Sequence, residues 1–380
     1  MKRNMKNKAI VIGANHYNTL GVVRSLGEKG VPVYLILTSQ KGGYVNKSKY
    51  VIQYWEVKES EKSIMSVLTN NFINEEYRPV IIPTSDFTMK VLDNNLNTLK
   101  NKYIVPNASG IEGRVTELMN KKLMNEIAVE SGVTVPASWE VLLDNEETLI
   151  PNDIIFPCIV KPLSSIDGKK SDIVVCKDRL ELKDKLFKLK KYYYQVLIQE
   201  YITGKDEKMI EVIGCVTINN NEIIIPAIIE KIREYPLTAG STSYAKAVKN
   251  SRYIDINKIH ALMKNIHFNG IFDMEFKYAN KKVYFIELNL RNGAPGYIFS
   301  KVGVNVPYLW YLEAIGINID NMKKEIDKSF NFMMEVRDIR HVLNGDIKLI
   351  TWIKDLIRTR VFLFINFKDM KPLTSRLFKR

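Results

Sequence analysis

A chain of 380 residues that is 46% hydrophobic and 26% charged can bury core for two or three domains, which excludes a disordered or fibrous protein. The formal net charge of +14 admits nucleic acid, a membrane surface or anionic small molecules as partners. Lys and Arg are spread along the chain without a recognised nucleic-acid motif, so anionic small molecules come first and nucleic acid is not expected. Cys158, Cys176 and Cys215 have no CxxC spacing and lie in apolar runs, as thiols of a reducing cytoplasm do. The opening MKRNMKNKAIVIGAN is too short in its apolar part for a signal peptide, and no run reaches transmembrane length.

In chain order, Lys8–Ile12 reads as a strand, Thr19 to Lys29 as a helix and Val31–Leu37 as a second strand, a βαβ unit with a parallel sheet. The turn Gly13-Ala14-Asn15 lacks GxGxxG, and Leu37-Thr38-Ser39 stands where a dinucleotide site needs an acid, so the layout is Rossmann-like without the fingerprint. Val80–Pro83 and Tyr103–Val105 add strands with a helix between. Asp86 follows the first of these, where open α/β sheets bind ligands; a helix N-cap explains it equally well.

Asn120–Glu130 reads as a helix with Lys121 at its start. FPCIVKP, Phe156–Pro162, is a strand with Lys161 among apolar neighbours, where an ammonium needs a partner charge that a phosphate could supply. Ser164–Lys170, SSIDGKK, suits a loop closing over phosphates or an ordinary hairpin loop. The strand in VLIQEYITGKD, Val196–Asp206, runs into an irregular stretch with backbone groups open to an adenine edge and Asp206 placed for ribose. Lys208–Thr217 and Glu222–Ile229 read as an antiparallel pair. Lys231–Val248, with Lys231 and Arg233 at its start, reads as a lid or acceptor loop, or as a surface connection.

Phe272–Gly296 carries the strongest chemical pattern. Phe272, Met274, Phe276 and Tyr278 alternate with Asp273, Glu275 and Lys277; then Val283, Phe285, Glu287, Asn289 and Arg291 share one face, and Tyr284, Ile286, Leu288 and Leu290 the other. With Asn280, Lys281 and Lys282 as a three-residue loop, Ala279 pairs with Val283, Glu275 with Glu287 and Asp273 with Asn289; two- or four-residue loops would separate the carboxylates. Facing carboxylates repel unless a cation lies between them, and oxygen ligands beside an amide suit Mg²⁺ better than zinc. A solvent-facing polar edge without metal is the alternative.

These elements, in this order, resemble the ATP-grasp superfamily from Asn120 to Gly296, with an opening domain similar to that of biotin carboxylase and carbamoyl-phosphate synthetase. The fold implied is α/β and α+β: a Rossmann-like preATP-grasp domain (1–106), an ATP-grasp domain (107–330) whose two α+β subdomains (about 135–200 and 201–330) clasp ATP, and a basic C-terminal extension (331–380). The resemblance implies that Lys121, Lys161 and Ser164 hold nucleotide phosphates, Gln199, Glu200, Tyr201 and Ile202 hold adenine, and Asp206 holds ribose. Glu275, Glu287 and Asn289 are implied ligands of Mg²⁺ or Mn²⁺, with Lys161 and Arg291 catalytic. Asn120 replaces the usual aspartate before the first lysine, and SSIDGKK lacks the common GxGG pattern.

The implied chemistry is an ATP-dependent carboxylate–amine ligation through an acyl-phosphate, releasing ADP, on an amino acid or a cell-envelope precursor. A bicarbonate-using carboxylase or carbamoyl-phosphate-type enzyme and a non-catalytic ATP-binding protein are the other classes. Of four histidines without ligand spacing, His16, His260, His267 and His341, only His16 is placed to touch an acceptor. Trp352–Arg380 mixes Trp352, Ile353, Val361, Phe362, Leu363, Phe364 and Phe367 with basic residues; it packs back on the body or touches a membrane surface. Family likeness also suggests a homodimer through the first domain.

Overall fold

The computed structural model describes residues 5–39, 42–143, 148–163, 172–204, 206–237 and 240–377. β1 (Ala9–Gly13), β2 (Val33–Leu37), β3 (Val51–Glu56) and β4 (Val80–Pro83) form a parallel sheet in the order β3-β2-β1-β4. Helix Tyr17–Gly27 makes the β1–β2 crossover. Tyr103–Val105, expected as a strand, contributes a single parallel bridge, Val80 to Ile104. β3 lies at the sheet edge with mostly exposed side chains, so VIQYWE lacks the apolar run of its neighbours.

After the short β5 (Asn107–Ala108), the strands β6 (Ser138–Leu142), β7 (Cys158–Pro162), β8 (Val174–Cys176) and β9 (Gln195–Glu200) build an antiparallel sheet ordered β6-β9-β7-β8. Val141, Cys158, Val160, Cys176, Val196 and Ile198 on one face pack with Leu182, Leu186 and Leu189 of helix Arg179–Leu189. Strand alternation therefore turns Lys161, Leu197 and Gln199 to the other face.

β10 (Lys208–Val216), β11 (Ile223–Ile224), β12 (Ile228–Tyr235), β13 (Ser241–Val248), β14 (Phe268–Ala279), β15 (Lys282–Asn289), β16 (Phe330–Met333) and β17 (Thr359–Phe362) make the large sheet. Its order is β15-β14-β10-β12-β13-β16-β17, with β11 beside β10 and β5 beside β14. The Lys231–Val248 segment is thus largely two paired strands rather than a lid or connection: the Ser, Thr and Ala side chains of STSYAKAV are small enough to lie inside a covered sheet.

Each face of this sheet has its own cover. Ile210, Val212, Phe272, Met274 and Phe276 pack on Ile259, Leu262, Met263 and Ile266 of helix Ile256–Ile266. Ile213, Cys215, Ile229, Ala245 and Ile271 share a core with Val11, Leu20 and Leu35 of the parallel sheet and with Trp310. The first and central regions therefore fold around common apolar surface.

Residues 331–380 are not a segment beyond the central body. β16 and β17 extend the large sheet, and Val361, Leu363 and Phe364 are buried. Arg24 on the first crossover helix anchors this region: Nε lies 2.9 Å from Asp369 Oδ2, and the guanidinium also donates to the Phe364 and Asp369 carbonyls. Among the described residues, no helix is long and apolar enough to cross a membrane.

Candidate functional site

The hairpin β14–β15 brings Glu275 opposite Glu287 and Asp273 opposite Asn289, but not by the expected route. The turn has two residues, Asn280 and Lys281, with φ of 51° and 63°, and Ala279 pairs with Lys282. Two successive left-handed residues give the twist that a two-residue hairpin requires. The pairing shifts between Glu275 and Phe276, where Phe276 faces Phe285 and Ile286 is the extra residue of a bulge. That bulge also corrects the face assignment: Phe285 joins Leu288 and Leu290 in the core rather than sharing a face with Glu287.

The polar end of the same sheet face gathers further charge. Glu211 on β10 lies directly opposite Glu275, and oxygens of Glu211, Asp273 and Glu275 all fall within 4.8 Å of one another. Lys231 Nζ reaches into this group, 3.1 Å from Glu275 and 3.9 Å from Glu211. Thr242 Oγ1 donates to Glu211 at 2.9 Å. Asp273 Oδ1 is buried without a hydrogen-bond partner among the described residues, and a Cβ at Gly293 would stand 2.8 Å from its carboxyl carbon, so only glycine lets the chain pass there. An all-oxygen donor set with an unsatisfied carboxylate oxygen fits a hard divalent cation.

The charges divide the carboxylates. Burial, with Glu287 and Glu211 nearby, pushes Glu275 up to about 7 although Lys231 opposes the shift. Burial and Glu211 raise Asp273 well above the ordinary carboxylate range. Burial also disfavours charge on Glu287, but the Asn289 amide, which donates to Oε1 at 3.2 Å, and the charges of Lys121, Lys161 and Arg291 together hold it low. Lys231 stays above the usual lysine range because Glu275 and Glu211 outweigh its burial.

The two lysines come from helix Lys121–Glu130 and from β7 of the small sheet. Asn120 caps helix Lys121–Glu130 by accepting from the Lys122 and Leu123 amides, which sets Lys121 in the first turn; its Nζ donates to the Pro162 carbonyl at 3.0 Å. Lys161 is buried on β7 and donates to Gln199 Oε1 at 2.7 Å. Burial and the charge of Lys121 bring Lys161 down to about 8. Gln199 Nε2 is buried without a partner among the described residues, so the Gln199 side chain lies beside Lys161.

Arg291, just past β15, closes the site on the side facing the first region. Its Nε lies 3.1 Å from Asp86 Oδ1 and its Nη1 3.4 Å from Asp273 Oδ2. Asp86 is not the N-cap of its helix: Ser85 holds that position in a capping box with Thr88, leaving the Asp86 carboxylate for Arg291. Asn18 reinforces the junction, donating to the carbonyls of Thr84 and Asn292.

The remaining expected residues spread along the strand exit. The Glu200 and Tyr201 amides donate to the Ala137 and Pro157 carbonyls, Ile202 is buried, and the Lys277 ammonium sits 4.9 Å from the Tyr201 ring centre. Asp206 accepts from the Asn280 amide at 3.1 Å and so supports the hairpin turn. Ser164 and the rest of SSIDGKK lie outside the described residues. His16 caps its helix through Nδ1, accepting from the Asn18 amide. The sequence pattern did not single out Glu211, although an acid inside the apolar run KMIEVIGCV is its signal.

Comparison with known proteins finds similarity in sequence and in fold. Residues 119–302 match the family model described as "Carbamoyl-phosphate synthase L chain, ATP binding domain". The chain is 24% identical over 192 residues to the carbamoyl phosphate synthase large chain of Lachnoclostridium phytofermentans, covering 50% of this chain and 17% of that protein. Matched segments span between 17% and 58% of the curated relatives' own length. By structure, the chain is similar to an L-amino acid ligase from Bacillus licheniformis, with TM-score 0.64, 16% identity and coverage of 86% and 80% of the two chains. It is likewise similar to N5-carboxyaminoimidazole synthetase from Staphylococcus aureus complexed with ADP, with TM-score 0.65, 19% identity and coverage of 90% and 86%. Residues 119–302 thus resemble the ATP-binding domain that this family model describes, and the fold of the chain is similar to that of the two solved structures.

Proposed function

We propose that the protein is an ATP-dependent ligase that joins a small-molecule carboxylate to an amine, releasing ADP and phosphate. The observation that carries this reading is the opposition of Lys121 and Lys161 to Glu287, Glu275, Asp273 and Glu211, a cationic cradle facing an acidic one. A nucleotide's phosphates match the first and the cation that accompanies them matches the second. Residues 1–106 would contribute Asp86, residues about 135–200 the nucleotide clasp, and residues 201–330 the cation site.

In the first step a substrate carboxylate oxygen attacks the terminal phosphorus of ATP, the bond to the bridging oxygen breaks and ADP leaves. In the second the amine attacks the acyl carbon, the carbon–oxygen bond to phosphate breaks, and the amine loses a proton. Lys121 and Lys161 would hold phosphate oxygens, and Gln199 would orient Lys161. The Gln199–Ile202 stretch would receive adenine, with Asp206 near ribose. Glu275, Glu287 and Asn289, with Asp273 and Glu211 behind them, would hold Mg²⁺ or Mn²⁺, which neutralises phosphate charge. Arg291, positioned by Asp86, would steady the acyl-phosphate, and positioning with charge neutralisation supplies most of the rate.

The test is an ADP-release screen over paired amino acids and over bicarbonate, with Glu287→Gln as the blank. ADP release that requires both an acid and an amine is the expected result. Turnover that survives in Glu287→Gln overturns the assignment of the cation site, and turnover that needs bicarbonate alone favours the carboxylase class.

A further inference from the structure

We infer that helix Leu349–Arg358 is an interfacial anchor that docks the protein on an anionic membrane surface. None of its ten residues is buried, although six are large and apolar. Leu349, Ile350, Ile353 and Ile357 are 54%, 59%, 39% and 79% exposed, and at helical spacing they form one outward stripe. Asp355 points the other way: its carboxylate lies 2.6 Å from Arg233 Nη1, which fixes the helix on the body with the stripe outward. Lys354 and Arg358 border the stripe.

Charge selects the occupant. Residues 331–380 carry eleven Lys and Arg against five Asp and Glu, and Glu335, Asp338 and Asp369 among the acids are buried. A second copy meeting the same face would bring like charges together, whereas anionic headgroups accept them. Ten helical residues span about 15 Å, half the hydrocarbon core, so the helix lies in the interface instead of crossing it. Val361, Leu363 and Phe364, apolar residues of the same region, are used in the core, while Phe367, 88% exposed, lies outside the helix that carries the stripe. Arg233 also binds Asp338 and sits two positions from Lys231, which places the anchor one residue pair behind the candidate site.

Flotation of the full chain with phosphatidylcholine vesicles, with and without phosphatidylglycerol, tests the inference independently of any catalysis. The expected result is binding to the phosphatidylglycerol vesicles that weakens with salt. Ile353→Asp with Ile357→Asp should lower it more than about tenfold, and Lys354→Gln with Arg358→Gln by about 25-fold. Unchanged circular dichroism shows that the variants fold, since these side chains are exposed. No flotation, flotation indifferent to both pairs of substitutions, or a dimer that the isoleucine pair dissolves would overturn the inference.

Discussion

Replacing Lys231 with Met removes the one ammonium among the described residues that reaches into the Glu211–Asp273–Glu275 group. At 3.1 and 3.9 Å, an effective dielectric constant of about 20 gives attractions of roughly 5 and 4 kcal/mol, most of which offsets the cost of taking these charges out of water. Removing one partner leaves that cost uncompensated, so Lys231→Met should destabilise the cation-free protein by about 3–5 kcal/mol near pH 8. Glu275, pushed up to about 7, takes up a proton in the folded state that the unfolded chain binds only near the ordinary carboxylate value. Stability of the cation-free protein therefore rises as pH falls from about 7 toward 4.5, and the variant should recover there most. Excess Mg²⁺ or Mn²⁺ should also recover it, by about 2.7 kcal/mol at a hundredfold excess over the dissociation constant. Urea denaturation at both pH values, with and without the cation, measures all of this. A variant as stable as the parent near pH 8 without cation refutes the argument, as does a loss that added cation leaves unchanged.

Two further outcomes follow from other buried charges. Lys161, held down to about 8, loses its charge as pH rises through that value, so calorimetric ADP affinity should fall over the same range, and Lys161→Gln should bind weakly with a flat profile. Arg24→Met leaves buried Asp369 with Ser48 and the Lys49 amide but without its cation, and should cost about 3–5 kcal/mol in chemical denaturation while the isolated ion-pair mimic Arg24→Lys loses less.

Much of the candidate site was legible because charged residue types seldom appear by chance in apolar strands. Lys161 inside CIVKP and Glu287 inside VYFIELN announce themselves, since burying either charge is costly. The parallel opening was legible from its strand–helix–strand order and the opposition of Glu275 to Glu287 from the chemistry of facing carboxylates, while the two-residue turn and the core position of Phe285 were not. What escaped has physical reasons. Glu211 and Lys231 act through strands adjacent in space and distant in sequence, and no local pattern reports that neighbourhood. The Ser/Thr/Ala character of β13 imitates a loop because a strand covered on both faces can use small residues. Asp86 is placed by its partner: a capping serine one residue earlier frees it for Arg291.

The extra residue at Ile286 also bears on how such hairpins are read. A regular pleat sends side chains two positions apart to one side, yet Phe285 belongs to the core and Glu287 to the charged cluster. Only an odd residue between them lets both commitments stand. Turn length and active register become separable: the tip of the hairpin can use the tight Asn280–Lys281 turn while the opposed carboxylates keep the alignment of a longer one.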